Sequence, residues 1–374
     1  MSTVQLATLS RSTIADPVVR QFVDTTADLM KWEVIQALSA QRDPAAIPVR
    51  LAPLSVGHTP KQAPSVGDVV TRWYTKQPAA KRKVILTNAL SPATITPRLK
   101  AVGRDMNIDL KSSKYVLAQV DVKVAYPFFD RGFGDRLVDR IRDLLDEIEH
   151  ANGSGGSIVT NRGLKFELEE VKCIDETDPE FFGKDTIAMG GTAVDDAETV
   201  TTINQFTVGD FDDGDVKSYA PRRELKSFSL GNGAYPKTFA IFLSIAEKDA
   251  GGFSDFLREL YEAIKAEVVV ILTALGAAAG AAIGAAIGGT IGTTIGGPIG
   301  TIIGVVAGLI LGALVGFLVE VLRDDIFEPQ VATVTLPAQD STFEGGGLLS
   351  PALSFVYEDH GGKYRVRYRW RIVR

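Results

Sequence analysis

Three hydrophobic patterns follow one another along the chain. From Asp16 to Leu38 apolar residues recur at helical spacing: Val18, Phe22, Val23, Leu29, Met30, Val34 and Leu38. Asp16 stands where an N-cap belongs and Pro17 at the first helical position, so a helix is expected to start there. A polar, proline-bearing stretch from Gln41 to Ser65 leads into weaker helical segments near 66–106. "KYVLAQVDVKVAYPFF" alternates as a strand. "FGDRLVDRIRDLLDEIEH" puts Leu137, Ile141, Leu144, Leu145 and Ile148 on one helical face. "NGSGGS" at 152–157 then marks a flexible boundary.

After that boundary the period changes to two. Short alternating runs recur between Gly, Asp and Pro turns: "GLKFELEEVKCI", "TIAMGGTAV", "TTINQFTVG", "ELKSFSLG", "KTFAIFLSIAE", "VATVTLPA", "ALSFVYED" and "KYRVRYRWRIV". About eight short strands of this kind point to an antiparallel β-sandwich. In the last of them Tyr364, Val366, Tyr368, Trp370 and Ile372 alternate with Arg365, Arg367, Arg369 and Arg371. One face is therefore aromatic and the other a ladder of guanidinium groups. Such a ladder needs anions, which the acidic 175–215 segment, a neighbouring subunit or lipid headgroups would supply.

The third pattern has no period of polar residues at all. Val268 to Val319 is an uncharged run of 52 residues, bounded by Glu267 and Glu320. One membrane-spanning helix needs about 20 residues, so the run is long enough for two spans and a turn. Gly296, Gly297 and Pro298 supply the turn, predicting helices over roughly Ser254–Thr294 and Ile299–Leu322. The first opens with an amphipathic stretch, "SDFLRELYEAIKAE". A glycine falls on every fourth residue, at Gly276, Gly280, Gly284, Gly288, Gly292, Gly296, Gly300, Gly304, Gly308, Gly312 and Gly316. Each costs an isolated helix about 1 kcal/mol relative to alanine. In return it opens a groove where another backbone approaches closely, the glycine-zipper contact of membrane helices. A hairpin buried in a soluble core is the alternative. Storage against the protein's own surface before insertion is compatible with the membrane hairpin.

These patterns define an α+β chain. Residues 1–150 are expected to form a helix-rich domain and 151–163 a Gly/Ser linker. Residues 164–253 and 324–374 would form the β-sandwich, and 254–323 the amphipathic lead helix and glycine-zipper hairpin. The chain has 374 residues and a formal net charge of −6, which gives no electrostatic basis for binding nucleic acid. Twelve carboxylates and one cation, Lys184, lie between Asp175 and Asp215. "GDFDDGD" (Asp210, Asp212, Asp213, Asp215) lacks the spacing of an EF-hand. The single cysteine, Cys173, reads as a buried thiol, and His58, His150 and His360 have no metal-ligand spacing. No catalytic motif emerges, so an enzyme is not expected. The opening residues lack a signal-peptide pattern, so synthesis in a cytoplasm is expected, with action at a membrane that could belong to a target cell.

"LKFELEEVKCIDETDPEFFGKDTIAMGG", "FAIFLSIAEKDAGGFSDFL", "RDDIFEPQVATVTLPA" and "KYRVRYRWRIV" together resemble the calcium-dependent lipid-binding sandwich of synaptotagmins and protein kinase C. The resemblance covers residues 164–374 with the hairpin removed, and the family's Asp-Pro-Tyr tripeptide is absent. It implies a membrane-facing loop as the root of the hairpin. It also implies calcium ligands at Asp178, Asp185, Glu247, Asp249 and Asp325, residue types that suit calcium.

The resulting expectation is a membrane-inserting protein, a pore-forming toxin or toxin-like effector. Its hairpins would oligomerise in a lipid bilayer, with a delivery or chaperone partner. Two helices enclose no lumen, so a homo-oligomer is required. The alternatives are a membrane-anchored scaffold and a soluble self-assembling protein with buried hairpins.

Overall fold

The structure is a computed structural model that describes residues 3–9, 16–42, 64–89, 91, 94–105, 133, 136–137, 139, 160–176, 185–197, 199–231, 235–247, 253–275, 298–322, 326–359 and 361–374. Strand β1 (Gln5–Leu9) precedes helices α1 (Pro17–Arg42), α2 (Val66–Lys76), α3 (Ala79–Ala89) and α4 (Pro97–Asp105). Strands β2 (Gly163–Asp175), β3 (Asp185–Val194), β4 (Val200–Phe211), β5 (Val216–Ser229) and β6 (Lys237–Glu247) follow. Helices α5 (Phe253–Leu275) and α6 (Pro298–Leu322) then lead to β7 (Gln330–Leu336), β8 (Leu353–Asp359) and β9 (Gly362–Val373). The class is α+β.

The strands form two antiparallel sheets, one ordered β1-β7-β6-β3-β4 and the other β5-β2-β9-β8. Strand β6 shows how they are placed. Its sequence KTFAIFLSIAE is apolar on both faces, as expected of a strand covered on both sides. Phe239, Ile241, Leu243 and Ile245 join a core with Phe166, Leu168, Tyr364, Tyr368 and Trp370 of the second sheet. The intervening Ala240, Phe242 and Ala246 belong to a different core, made with the helices. Alternation thus separates two cores across one strand. The five-stranded sheet lies between the helices and the second sheet. Across the inter-sheet core, Tyr357 Oη donates to Leu243 O at 2.8 Å, and the Phe228 and Phe239 rings lie 4.8 Å apart.

The helix layer starts as its sequence indicates. Asp16 Oδ1 accepts from the Val18 and Val19 amides at 2.9 and 3.0 Å, capping α1. Helix α5 packs on β3 and β4, while α6 packs on β6 and β7 and against α1, α3 and α5. Gly190 permits the first of these approaches, because a Cβ there would stand 2.2 Å from Ser254 Oγ at the start of α5.

The eight strand segments read from the alternation all appear, with β5 beginning eight residues earlier than "ELKSFSLG", at Val216 rather than Glu224. Strand β1 had no expected counterpart. It pairs with β7, Gln5 opposite Thr335 and Leu9 opposite Val331, and so ties the N-terminal segment into the sheet. The predicted strand at 114–129, the linker at 152–157, the Gly296-Gly297 turn and the part of the first long helix beyond Leu275 lie outside the described residues.

Gly308 is where α6 meets the sheet most closely. A Cβ at this position would lie 1.7 Å from the Phe242 ring. Gly308→Ala is therefore expected to destabilise the protein by about 1–3 kcal/mol despite alanine's better helix propensity. Gly316→Ala, whose nearest contact would be Glu328 Oε2 at 3.9 Å, should be neutral or stabilising. Denaturant unfolding of the two variants checks this, and equal effects would show that the Phe242 contact does not decide the packing.

Candidate functional site

Two features carry the sequence-level expectations: the apolar helix and the charged face of the second sheet. Every residue of α6 from Val306 to Leu318 is buried except Gly316, which is half-buried. Apolar residues on all sides of a helix require cover on all sides. Helices α1, α3 and α5 provide part of it and strands β6 and β7 the rest. Phe242 packs against Gly308 and against Tyr261 of α5, the rings of the two aromatic residues 5.1 Å apart. Asn88 Nδ2 of α3 donates to Val321 O at 3.3 Å, near the end of α6 where carbonyls lack helical partners. Lys31 Nζ lies 6.0 Å from the centre of the Phe317 ring. At Gly316 and Phe317 the helix borders a groove of about 730 Å³, lined also by Arg20, Asp28, Lys31 and Glu328.

Among the predicted zipper glycines, Gly308 faces Phe242, and Cβ atoms at Gly312 and Gly316 would lie 3.0 and 3.9 Å from the Glu328 carboxylate. Gly300 and Gly304 lie within α6. Gly276, Gly280, Gly284, Gly288, Gly292, Gly296 and Gly297 lie outside the described residues, while Pro298 opens α6. In this arrangement Gly308, Gly312 and Gly316 face a sheet strand and its lead-in segment. Among the described residues no helix is long and apolar enough to cross a membrane.

The arginine ladder finds its anions within the chain. Arg371 pairs with Glu167 through two bonds, Nε to Oε1 at 2.7 Å and Nη2 to Oε2 at 3.0 Å. Arg369 pairs with Glu169, and Arg365 with Glu170 at 3.2 Å. Arg367 spans Glu169 at 2.9 Å and Glu170 at 3.7 Å. A β-bulge makes this fork. The register of β2 on β9 slips between Leu168 and Glu170, so two successive glutamates oppose one arginine. Of the partners suggested by the sequence, the acidic 175–215 segment thus takes no part in these pairs. The carboxylates come from β2, a signal present in the ELEE of its sequence.

The carboxylates of the expected calcium site are only partly placed. Asp185 begins β3 and accepts from Tyr364 Oη at 2.9 Å. Glu247 ends β6 opposite Ile187, at the same end of the sheet as Asp185. Asp178, Asp249 and Asp325, like the three histidines, lie outside the described residues. Among the described residues no group of three or more His, Cys, Asp or Glu could hold a metal ion. The GDFDDGD segment spans the end of β4 and the turn that carries the chain from β4 in one sheet to β5 in the other, and its acids hold backbone and hydroxyl groups. Asp213 Oδ1 accepts from the Glu176 amide at 2.9 Å, Asp215 Oδ2 from the Asp212 amide at 3.1 Å and Asp210 Oδ1 from Thr186 Oγ1 at 2.7 Å. Cys173 is buried, and burial pushes its thiol up to about 11, which leaves it unreactive at neutral pH.

Compared with family models, curated proteins and solved structures, the chain matches none.

The ladder predicts acid sensitivity. The Arg369 hydrogen bond, with Arg369, Arg367 and Arg222 as nearby charges, holds the Glu169 carboxyl below its ordinary value. A lowered folded value contributes stability above the unfolded value, about 4.3, that is lost as pH falls through the folded one. Glu169→Gln should cost about 1 kcal/mol at neutral pH, at the upper end for partly exposed pairs because several charges act together. It should also flatten the acid limb of the stability profile. An unchanged acid limb in denaturant unfolding would show that Glu169 does not couple to the ladder.

Proposed function

We propose that the chain is a membrane-inserting protein of the pore-forming toxin or toxin-like effector kind, which keeps the apolar helix α6 inside its own core until it meets a bilayer. The observation that carries this reading is the enclosure of Val306–Leu318 by α1, α3, α5 and the sheet, combined with an uncharged sequence run of 52 residues. A run of that length exceeds what a single core helix requires and meets what two spans require. We read the two sheets as a β-sandwich that carries the hairpin, and the glycine positions as surfaces for packing between copies once lipid replaces the sheet.

Moving α6 from core to lipid brings no hydrophobic gain for α6 itself, because lipid tails are as apolar as the core it leaves. The drive would come from helix packing between copies and from lipid contacts of the sheets. A lipid-facing calcium site at Asp178, Asp185, Glu247, Asp249 and Asp325 belongs to the same proposal. The close fit of Phe242 to Gly308 favours a second reading, in which the helix is a permanent core element and the protein a soluble assembly.

Dye release from liposomes separates these readings, measured with and without calcium and followed by hydrogen exchange of residues 306–318. Release rising steeply with protein concentration, with loss of protection in α6, is the expected result. Gly284→Leu together with Gly292→Leu should suppress it. Firm liposome binding without leakage would reduce the hairpin to an anchor, and full protection of α6 with lipid present would establish the core reading.

A further inference from the structure

Helix α2 begins inside the protein, and its first amides need acceptors. Asp68 N–H donates to Ser65 Oγ at 3.1 Å. The two amides before it reach other helices. Gly67 N–H donates to Glu33 Oε1 of α1 at 2.9 Å, and Val66 N–H to Glu267 Oε1 of α5 at 2.9 Å. Three helices therefore meet at two glutamates, which are 6% and 8% exposed. The remaining oxygens, Glu33 Oε2 and Glu267 Oε2, are buried and have no hydrogen-bond partner. The other acid acting on both groups is Asp68 of α2, and the Ser65 hydroxyl faces Glu33. Among the described residues no ion pair reaches either glutamate.

Two ionised carboxylates side by side in this space would repel each other at low dielectric. The end of one helix offers about half a positive charge, enough to favour one anion but not two, and Asp68 already draws on it. A single proton resolves both problems. Placed on the free oxygen of Glu267, it turns that oxygen into a donor and gives the facing Glu33 carboxylate the bond it lacks.

We propose that Glu33 and Glu267 share one proton at neutral pH, and that this proton fastens α5, the helix entering the uncharged run, to α1 and α2. Glu267 is the last charged residue before that run, so the fastening sits at its root. Burial raises both carboxyls above their ordinary value, and the charge of Glu33 raises Glu267 further. In the unfolded chain both titrate near 4.3. The folded protein therefore holds more protons above that pH, and stability is lost as pH rises through the folded values. Mild acid tightens this junction and alkali loosens it. The bearing on hairpin release rests on the membrane-inserting reading: acid would not free the hairpin through this pair.

The test is denaturant unfolding of the full chain between pH 5 and pH 9, read by tryptophan fluorescence, for wild type, Glu267→Gln and Glu33→Gln. A glutamine at 267 can still accept from Val66 N–H and can donate to Glu33. It should remove a pH dependence approaching tenfold in the unfolding constant per pH unit, the limit for one proton. Infrared spectra of wild type at neutral pH should show the carbonyl stretch of a buried protonated carboxylic acid, lost in either variant. Wild-type slopes in both variants, or no such band in wild type, would overturn the proposal, and the spectrum decides even if a variant fails to fold. Absence of liposome leakage would defeat the pore-forming reading and leave this result untouched.

Discussion

The Phe242 ring occupies the space that a side chain at position 308 would need, and much of the structure is arranged around that contact. Phe242 points out of the five-stranded sheet toward the helices, while its neighbours Ile241 and Leu243 point the other way. Were position 308 any larger residue, α6 would stand further from β6 and leave space around the ring. An interior void forfeits both transfer energy and dispersion contacts. Burial of a phenylalanine is worth about 1.5–3 kcal/mol, so the close approach matters on the scale of a domain's net stability. The same glycine thus has a structural use in this packed form, apart from any use between membrane helices.

Around that contact the helical and β parts become one body. Strand β6 is covered on both sides, so neither its helix-facing nor its sheet-facing residues can be exposed without loss. The N-terminal strand β1 completes the sheet beside β7, and α1 lies against α6. Residues far apart in the chain therefore close the same core. Separating the N-terminal helices from the C-terminal half would expose α6, which has no polar face of its own.

The strands were legible because their period of two survives wherever one face is wet, while a strand covered on both sides, such as β6, reads as a short apolar run between turns. Helix α1 was legible from its cap and its spacing. Strand β1 was not, since five residues with mixed polarity give no period, and its identity depends on β7, more than 300 residues away. The arginine ladder was visible as a pattern, but its partners were not. A bulge in β2 sets them, and a bulge depends on pairing rather than composition. The Glu33–Glu267 pair was equally hidden, since one residue lies in α1 and the other in α5. A carboxylate on a helix reads as a solvated face until tertiary packing places another helix's first amides beside it.

The packing also limits how the apolar helix could ever leave. Its departure would uncover Phe242, Tyr261 and the inward faces of α1 and α3 at once, and no single lipid contact replaces all of them. Leaving the core and refilling the vacated core must therefore be coupled, within one chain or between copies. One join in that packing, the proton we propose Glu33 and Glu267 share, responds to pH as well as to buried area. That join lies at the first end of the uncharged run. Its far end is held instead by a side-chain bond to a backbone carbonyl, Asn88 to Val321, which carries no charge and does not titrate.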